Sequence, residues 1–265
     1  MKIRRGLVGA VDPITAQYDA ILATEPDIPL LYRLIEYRGQ IVLFQDAPCT
    51  VPVEDIGDPI GGQRHPITGG ILAGQTTDGA RLIWGGEDVG AIGDGSNFLR
   101  MDNSDISWAA LTGSGPDSVT SALRLSYGGA AQGNAVPMGA SSVETSGMAQ
   151  WVINRPDDGG VRFQSRGDVG TSDTDAPSVF DAEGDIATAV VVYDSGDDLR
   201  RMYVDGTLVD FATPSGDRVG LHTAPVCILG RGRDGGGVDR RYAGDMEYAL
   251  FWDRPLSTDE IERLP

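Results

Sequence analysis

Positive charge is the scarcest property of this sequence. One lysine, Lys2, and twenty arginines stand against 39 acidic residues, for a formal net charge of −18. Nucleic acids and anionic membrane surfaces are polyanions and repel such a chain, so neither is an expected partner. Cysteine is nearly absent. Cys49 and Cys227 form no CxxC pair and have no histidine pair nearby, which argues against a zinc site and against a disulfide scaffold. Two reduced, buried thiols are expected. Histidine is as rare, with His65 and His222 only, and no GxSxG elbow accompanies them. No apolar run approaches the ~20 residues of a membrane helix. The basic start Met-Lys-Ile-Arg-Arg is followed by no apolar core of a secretory signal, because Asp12-Pro13 interrupts Gly6–Ala10.

What is abundant is turn-forming residues, with 37 glycines and 15 prolines. They separate many short apolar segments, the pattern of an all-β sandwich. Thr15–Thr24 reads as a short helix with Thr15 as N-cap and Tyr18, Ile21 and Leu22 on one face. Residues 47–80 read as a long surface excursion containing short strands. Strands follow at Ala80–Trp84, Asn97–Met101, Ser118–Tyr127, Met148–Asn154, Val161–Ser165, Ile186–Tyr193, Arg200–Asp210, Val226–Gly230 and Tyr242–Trp252. Ser118–Tyr127 alternates like a half-buried strand, whereas Ile186–Tyr193 is apolar on both faces and belongs in the interior of a sheet. Asp205-Gly206 suits a two-residue type I′ hairpin turn. In Met246–Trp252, strict alternation puts Met246, Tyr248, Leu250 and Trp252 on one face and Glu247, Ala249 and Phe251 on the other. Ser257 and Glu260 form a capping box, with Leu256 and Ile261 as a hydrophobic staple.

Three blocks resemble the laminin-G-like jelly rolls of the concanavalin A-like lectin/glucanase superfamily. The first is Tyr242-Ala243-Gly244-Asp245-Met246-Glu247-Tyr248-Ala249-Leu250-Phe251-Trp252 with Asp253-Arg254-Pro255-Leu256-Ser257 and Glu260-Ile261. The second is Ala189–Asp194 followed by Met202-Tyr203-Val204-Asp205-Gly206-Thr207-Leu208-Val209. The third runs from Tyr18 through Leu22 and Pro26 to Leu31-Tyr32-Arg33-Leu34-Ile35-Glu36, and is similar to openings found in phage and bacterial surface proteins. The blocks bracket residues 18–264, and the middle, 47–180, matches poorly. The resemblance implies an antiparallel two-sheet jelly roll with a short N-terminal helix and a C-terminal capping turn. It divides the chain into an arm at 1–14 and a jelly roll at 15–265.

Glucanases of that superfamily carry carboxylates two residues apart on one strand. Glu183-Gly184-Asp185 is the match noted here, and it lacks a third carboxylate at Ala187 or Thr188. No catalytic residues are therefore assigned. The resemblance implies calcium as a candidate cofactor, with Asp94 in the Gly-Asp-Gly-Ser segment and Glu247 as oxygen ligands. Gly93–Ser96 itself, like Arg231–Gly237, reads as a hairpin tip. Trp84 and Trp108 border loops and are the candidates for stacking on sugar rings. Lys2, Ile3, Arg4, Arg5, Leu7 and Val8 form a basic and apolar arm suited to lie across a neighbouring subunit. The expected function is a non-enzymatic phage virion component, a fibre, baseplate or capsid-decoration protein, assembled with other virion proteins or copies of itself and adhering to host-surface glycans. The alternative is a bacterial surface or secreted carbohydrate-binding module, with a polysaccharide-degrading enzyme third.

Overall fold

The computed structural model describes residues 12–76, 81–101, 118–128, 135–141, 148–154, 159–166, 171–176, 178–213, 226–229, 231–233, 238–239 and 242–265. In chain order it begins with helix α1 (Pro13–Leu22) and strands β1 (Ile28–Leu31), β2 (Glu36–Tyr37), β3 (Gln40–Ile41), β4 (Leu43–Phe44), β5 (Pro59–Ile60), β6 (Gly62–Arg64) and β7 (Ile71–Gly74). Then come β8 (Leu82–Trp84), β9 (Ala91–Asp94), β10 (Leu99–Met101), β11 (Val119–Ser126), β12 (Met138–Ser141), β13 (Met148–Asn154), β14 (Gly160–Arg166) and β15 (Thr171–Ala176). The chain continues with β16 (Ile186–Asp194), β17 (Leu199–Val204), β18 (Thr207–Ala212), β19 (Val226–Ile228), β20 (Arg231–Arg233), β21 (Val238–Asp239), β22 (Ala243–Trp252) and helix α2 (Thr258–Ile261).

Two large sheets result. The first runs β18-β17-β16-β11-β22-β9-β8-β5, with β1 also on β22, and all its pairs are antiparallel. The second runs β15-β14-β13-β12-β19-β10-β7-β6-β4, with β20 parallel to β12 and β21 on β20. The small pair β2–β3 stands apart. Among the described residues no helix is long and apolar enough to cross a membrane.

β16 is interior, as its unbroken apolar run requires. It sits between β11 and β17, and Val190, Val191, Val192 and Tyr193 are all buried. Leu123, Ala189, Val191, Ala249 and Phe251 share the face turned to the second sheet. Arg200, paired with Tyr193 on that face, crosses the interior: its Nε donates to Thr174 of β15 at 2.6 Å, and its guanidinium lies 5.2 Å from the Phe163 ring of β14.

The other face of the first sheet is covered too. Thr120 Oγ1 donates to the Arg254 carbonyl at 2.9 Å and accepts from Leu256 N, while Trp252 Nε1 donates to the Thr24 carbonyl at the end of α1. The sequence reading of Ser118–Tyr127 as half-buried is therefore corrected. Thr120 is fully enclosed because the segment after β22 folds over it.

α1 starts two residues before its expected first residue. Asp12, rather than Thr15, is the N-cap, its carboxylate accepting from Thr15 N at 3.0 Å. Pro13 suits the first helical position, since its fixed φ is helical and it has no N–H to leave unsatisfied. Ile14 joins Tyr18, Ile21 and Leu22 on the buried face, so 12–14 are part of the folded domain rather than of an arm.

Residues 47–76 contain the short strands expected there, and these strands are built into the two sheets instead of standing apart as a surface excursion. β5 enters the first sheet and β6 and β7 the second, and Cys49, Val53, Ile60 and Gln63 are buried. Strands this short show too few alternations for periodicity to say which sheet they enter. Gly93–Ser96 is not a hairpin tip, because it carries the chain from β9 in one sheet to β10 in the other. In the other expected tip, Arg231–Arg233 is strand β20, and 234–237 lie outside the described residues. Asp205 and Gly206 do form the predicted turn, with φ of 46° and 77°. Neither cysteine is in a disulfide, and both are buried.

The capping box of α2 is present, with Ser257 N donating to Glu260 at 2.9 Å and Leu256 and Ile261 buried. The Arg254 guanidinium, and then the Ser257 hydrogen bonds, hold the Glu260 carboxyl down from 4.5 to about 2. A carboxyl lowered on folding stabilises the native state above its unfolded pKa and loses that contribution as pH falls through its folded value. Glu260→Gln should lower the melting temperature at neutral pH. The difference from the parent protein should shrink below pH 4.5 and vanish near pH 2.

Candidate functional site

β22 is flanked on both sides from Met246 to Phe251. Its first half pairs with β9 and its second half with β1, while β11 runs along its other side. Between Arg124 and Leu125 the β11–β22 register slips. Arg124 opposes Tyr248 and Leu125 opposes Met246, so Glu247 is the extra residue of a bulge. Strict alternation therefore fails here. Met246 turns to the interior with Leu125, and Glu247 joins Tyr248 and Asp245 on the outer face.

There Glu247 is buried and meets two guanidiniums. Arg33 Nη1 and Arg124 Nε each donate to Oε2 at 3.1 Å. Arg33 also donates to Gln17 of α1 at 3.0 Å and to the Glu87 carbonyl. Arg124 donates to Thr188 Oγ1 at 2.8 Å, and Thr188 donates to the Pro265 main-chain oxygen at 2.6 Å. Burial pushes the Tyr248 phenol up, which keeps it a donor to that same oxygen at 2.8 Å.

Beside this network opens a cavity of about 180 Å³ lined by Asp88, Val89, Ser126, Gly184, Ile186, Asp245 and Glu247. Asp88 and Val89 come from the β8–β9 turn. Gly90 closes that turn at φ 86°, where a Cβ would lie 2.4 Å from the Met246 carbonyl oxygen, so the close approach of the turn to β22 requires glycine. Gly184 and Ile186 are brought in by the turn before β16, held to β11 by Gly184 N to the Tyr127 carbonyl at 2.9 Å and Tyr127 N to the Asp185 carbonyl at 2.8 Å. Ser126 Oγ accepts from Asp245 N at 2.9 Å. Asp245 is half-buried and Ile186 is 46% exposed. Burial raises the Asp245 carboxyl above its ordinary value, and Ser126 opposes that rise. The cavity is smaller than the ~300 Å³ of a compact drug-sized site.

The expected site residues are dispersed. Trp84 is buried and its indole N–H donates to the Tyr32 carbonyl at 3.0 Å, so it is a packing residue and cannot stack on a sugar. Trp108 and the arm residues Lys2, Ile3, Arg4, Arg5, Leu7 and Val8 lie outside the described residues. Asp94 is exposed and accepts from Ser96 N and Oγ at 2.7 Å. It pairs with Ala243, four residues along β22 from Glu247, a separation of about 13 Å at strand rise. The two carboxylates expected to share calcium thus do not meet, and Glu247 is already held by arginines. Among the described residues no group of three or more His, Cys, Asp or Glu is placed to hold a metal ion.

Asp185 of the Glu183–Asp185 pair caps its own turn, accepting from Asp181 N and Ala182 N at 2.8 and 2.7 Å. The sequence reading missed Asp88, Ser126, Ile186 and Asp245. Asp245 and Glu247 do stand two apart on one strand, which is the signal that was available.

A two-sheet jelly roll with a cavity on the outer face of one sheet is a lectin-like sandwich. The chain belongs to the concanavalin A-like lectin/glucanases superfamily, whose laminin-G-type model matches residues 103–262. That match takes in the middle region from 103 to 180, which the sequence reading set aside, and leaves out the opening block at Tyr18–Glu36. Curated protein sequences give no match. Among solved structures, the Ruminococcus gnavus IT-sialidase CBM40 bound to alpha2,3 sialyllactose is similar at 16% identity and TM-score 0.46, covering 58% of this chain and 84% of that one. The NanB sialidase of Streptococcus pneumoniae is similar at 16% identity and TM-score 0.47, covering 63% of this chain but 27% of the sialidase. A heptameric SAP-like pentraxin from Limulus polyphemus has 14% identity and TM-score 0.42, covering 55% and 68%.

Two stability measurements check this arrangement. Glu247→Ala leaves two half-shielded guanidiniums without their carboxylate and should cost about 3 kcal/mol in denaturant unfolding. A loss under 1 kcal/mol would show the ion pairs to be incidental. Asp245 behaves in the opposite sense. A carboxyl raised on folding opposes folding once pH exceeds its unfolded value of 3.8. Asp245→Asn should therefore raise the melting temperature at neutral pH, and that gain should disappear as pH falls below 3.8.

Proposed function

We propose that this protein is a non-catalytic glycan-binding module whose site is the cavity between the β8–β9 turn, β11, β22 and the turn before β16. The observation that carries the reading is the composition of that cavity on a lectin-superfamily sandwich. Asp88, Asp245 and Ser126 offer hydroxyl-binding oxygens beside the exposed apolar side chain of Ile186 and that of Val89. Sugars present hydroxyls on their edges and C–H groups on their faces, and a small site with a few fixed polar groups and an apolar wall suits both.

Hydrolysis fits the same residues less well. A carboxylate pair acting as nucleophile and acid needs both members free to reach the glycosidic bond. Asp245 meets that requirement, but Glu247 is buried and occupied by Arg33 and Arg124. The virion role expected from the sequence finds no support in the fold or in the comparisons, and the reading kept is the coarser one of glycan adhesion.

The test is a glycan array followed by titration calorimetry with the parent protein and the double variant Asp88→Ala/Ile186→Ala. Both positions are exposed, so folding should be unaffected. Binding weakened at least about tenfold by the double variant, roughly 1.4 kcal/mol, supports the reading, provided that β-glucan, agar and alginate substrates release no reducing ends. Binding unchanged in the variant, or reducing ends lost on Asp245→Asn, would sink it.

A further inference from the structure

We infer that the cavity selects a protonated amino sugar over neutral and acidic sugars, an inference that rests on the glycan-binding reading. Three carboxylates line the cavity, and the guanidiniums nearby are not available to a ligand. Neither Arg33 nor Arg124 lines the cavity; both donate to Glu247, and they also donate to Gln17, the Glu87 carbonyl and Thr188. Glu247 is thereby neutralised from within. Asp88, from the β8–β9 turn, and Asp245, from β22, line the same cavity and have no ion-pair partner among the described residues.

The cavity is thus left with two uncompensated acceptors and no cationic donor facing it. A sugar ammonium placed between them makes charge-assisted hydrogen bonds, roughly twice as strong as those a hydroxyl makes to the same oxygens. It also relieves the burial cost of Asp245. A sialate or uronate carboxylate would meet like charge, in the cavity and in the field of a chain carrying −18 overall. A bare divalent cation is less well served, because calcium takes six to eight oxygens and this lining offers two free carboxylates and one hydroxyl.

The experiment uses the whole chain and four probes: a glucosamine disaccharide, its N-acetylated counterpart, sialyllactose and calcium chloride. Affinities are measured by calorimetry at neutral pH for the parent, Asp245→Asn, Asp88→Asn and, as a control for general attraction of cations to an acidic protein, the exposed α2 residue variant Asp259→Asn. The expected result is about tenfold tighter binding of the glucosamine disaccharide than of the N-acetylated one. That preference should be lost in the Asp245 and Asp88 variants and kept in Asp259→Asn. Sialyllactose should bind weakest.

Equal binding of the two disaccharides, with both weakened by the cavity variants, overturns the charge selectivity and leaves glycan binding standing. A preference that survives both cavity variants overturns it as well, since the attraction then belongs to the surface at large. Calcium binding that displaces the disaccharide would make the cavity a cation site and overturn the inference. Absence of binding by all three sugars overturns this inference, and it bears on the broader reading only if the glycan array is also blank.

Discussion

The ion pairs at Glu247 hold together what the sandwich would otherwise leave separate. A carboxylate at a bulge in β22 is fixed by Arg124 from the neighbouring strand β11 and by Arg33 from the segment after β1. Through Gln17 and Thr188 the same network reaches α1 and the last residue of the chain. A buried charge is tolerated only with partners that satisfy it, so the N-terminal helix, the central strands and the C-terminal turn are coupled in position. The outer face of the first sheet is closed as a consequence. Trp252 and Thr120, which would meet solvent on a bare sheet, are enclosed by the segments that follow α1 and β22.

The cavity takes its character from the same event. The bulge brings Glu247 to the side already occupied by Asp245, and the two guanidiniums spent on Glu247 leave Asp88 and Asp245 as the free charges. Ser126 and the turn carrying Gly184 and Ile186 are set by short main-chain bonds to β11 and β22. The ion-paired carboxylate Glu247 and the cavity carboxylate Asp245 stand two residues apart on one strand, so their contributions to stability are separated by comparing variants of the two.

The interior of the second sheet depends on a different device. Arg200 enters the space between the sheets fully buried, reaching Thr174 and the Phe163 ring. A guanidinium can be held there because its planar face packs on an aromatic ring while its edge donates. Nothing in the pattern of β17, where Arg200 and Arg201 stand side by side, distinguishes the buried arginine from the part-exposed one.

Local chemistry determined much of this protein. The all-β class, the interior position of β16, the Asp205–Gly206 turn, the Ser257–Glu260 capping box and the superfamily resemblance at 242–261 all follow from residues close in sequence, where periodicity, positive φ and capping act over a few positions. The start of α1 was within reach on the same terms, since Asp12-Pro13 is a strong cap that the choice of Thr15 overlooked. The rest was decided only by tertiary structure. Strands of two to four residues at 59–74 carry too few positions to show a period. Trp84 looks like a loop-edge aromatic until the Tyr32 carbonyl buries it. Alternation puts Glu247 on the face of Ala249 and Phe251 and apart from Tyr248, because a bulge depends on the register against β11 and not on β22 alone. The cavity joins residues 88, 126, 184, 186, 245 and 247 from four separate segments, and no local pattern encodes which distant strands will lie side by side.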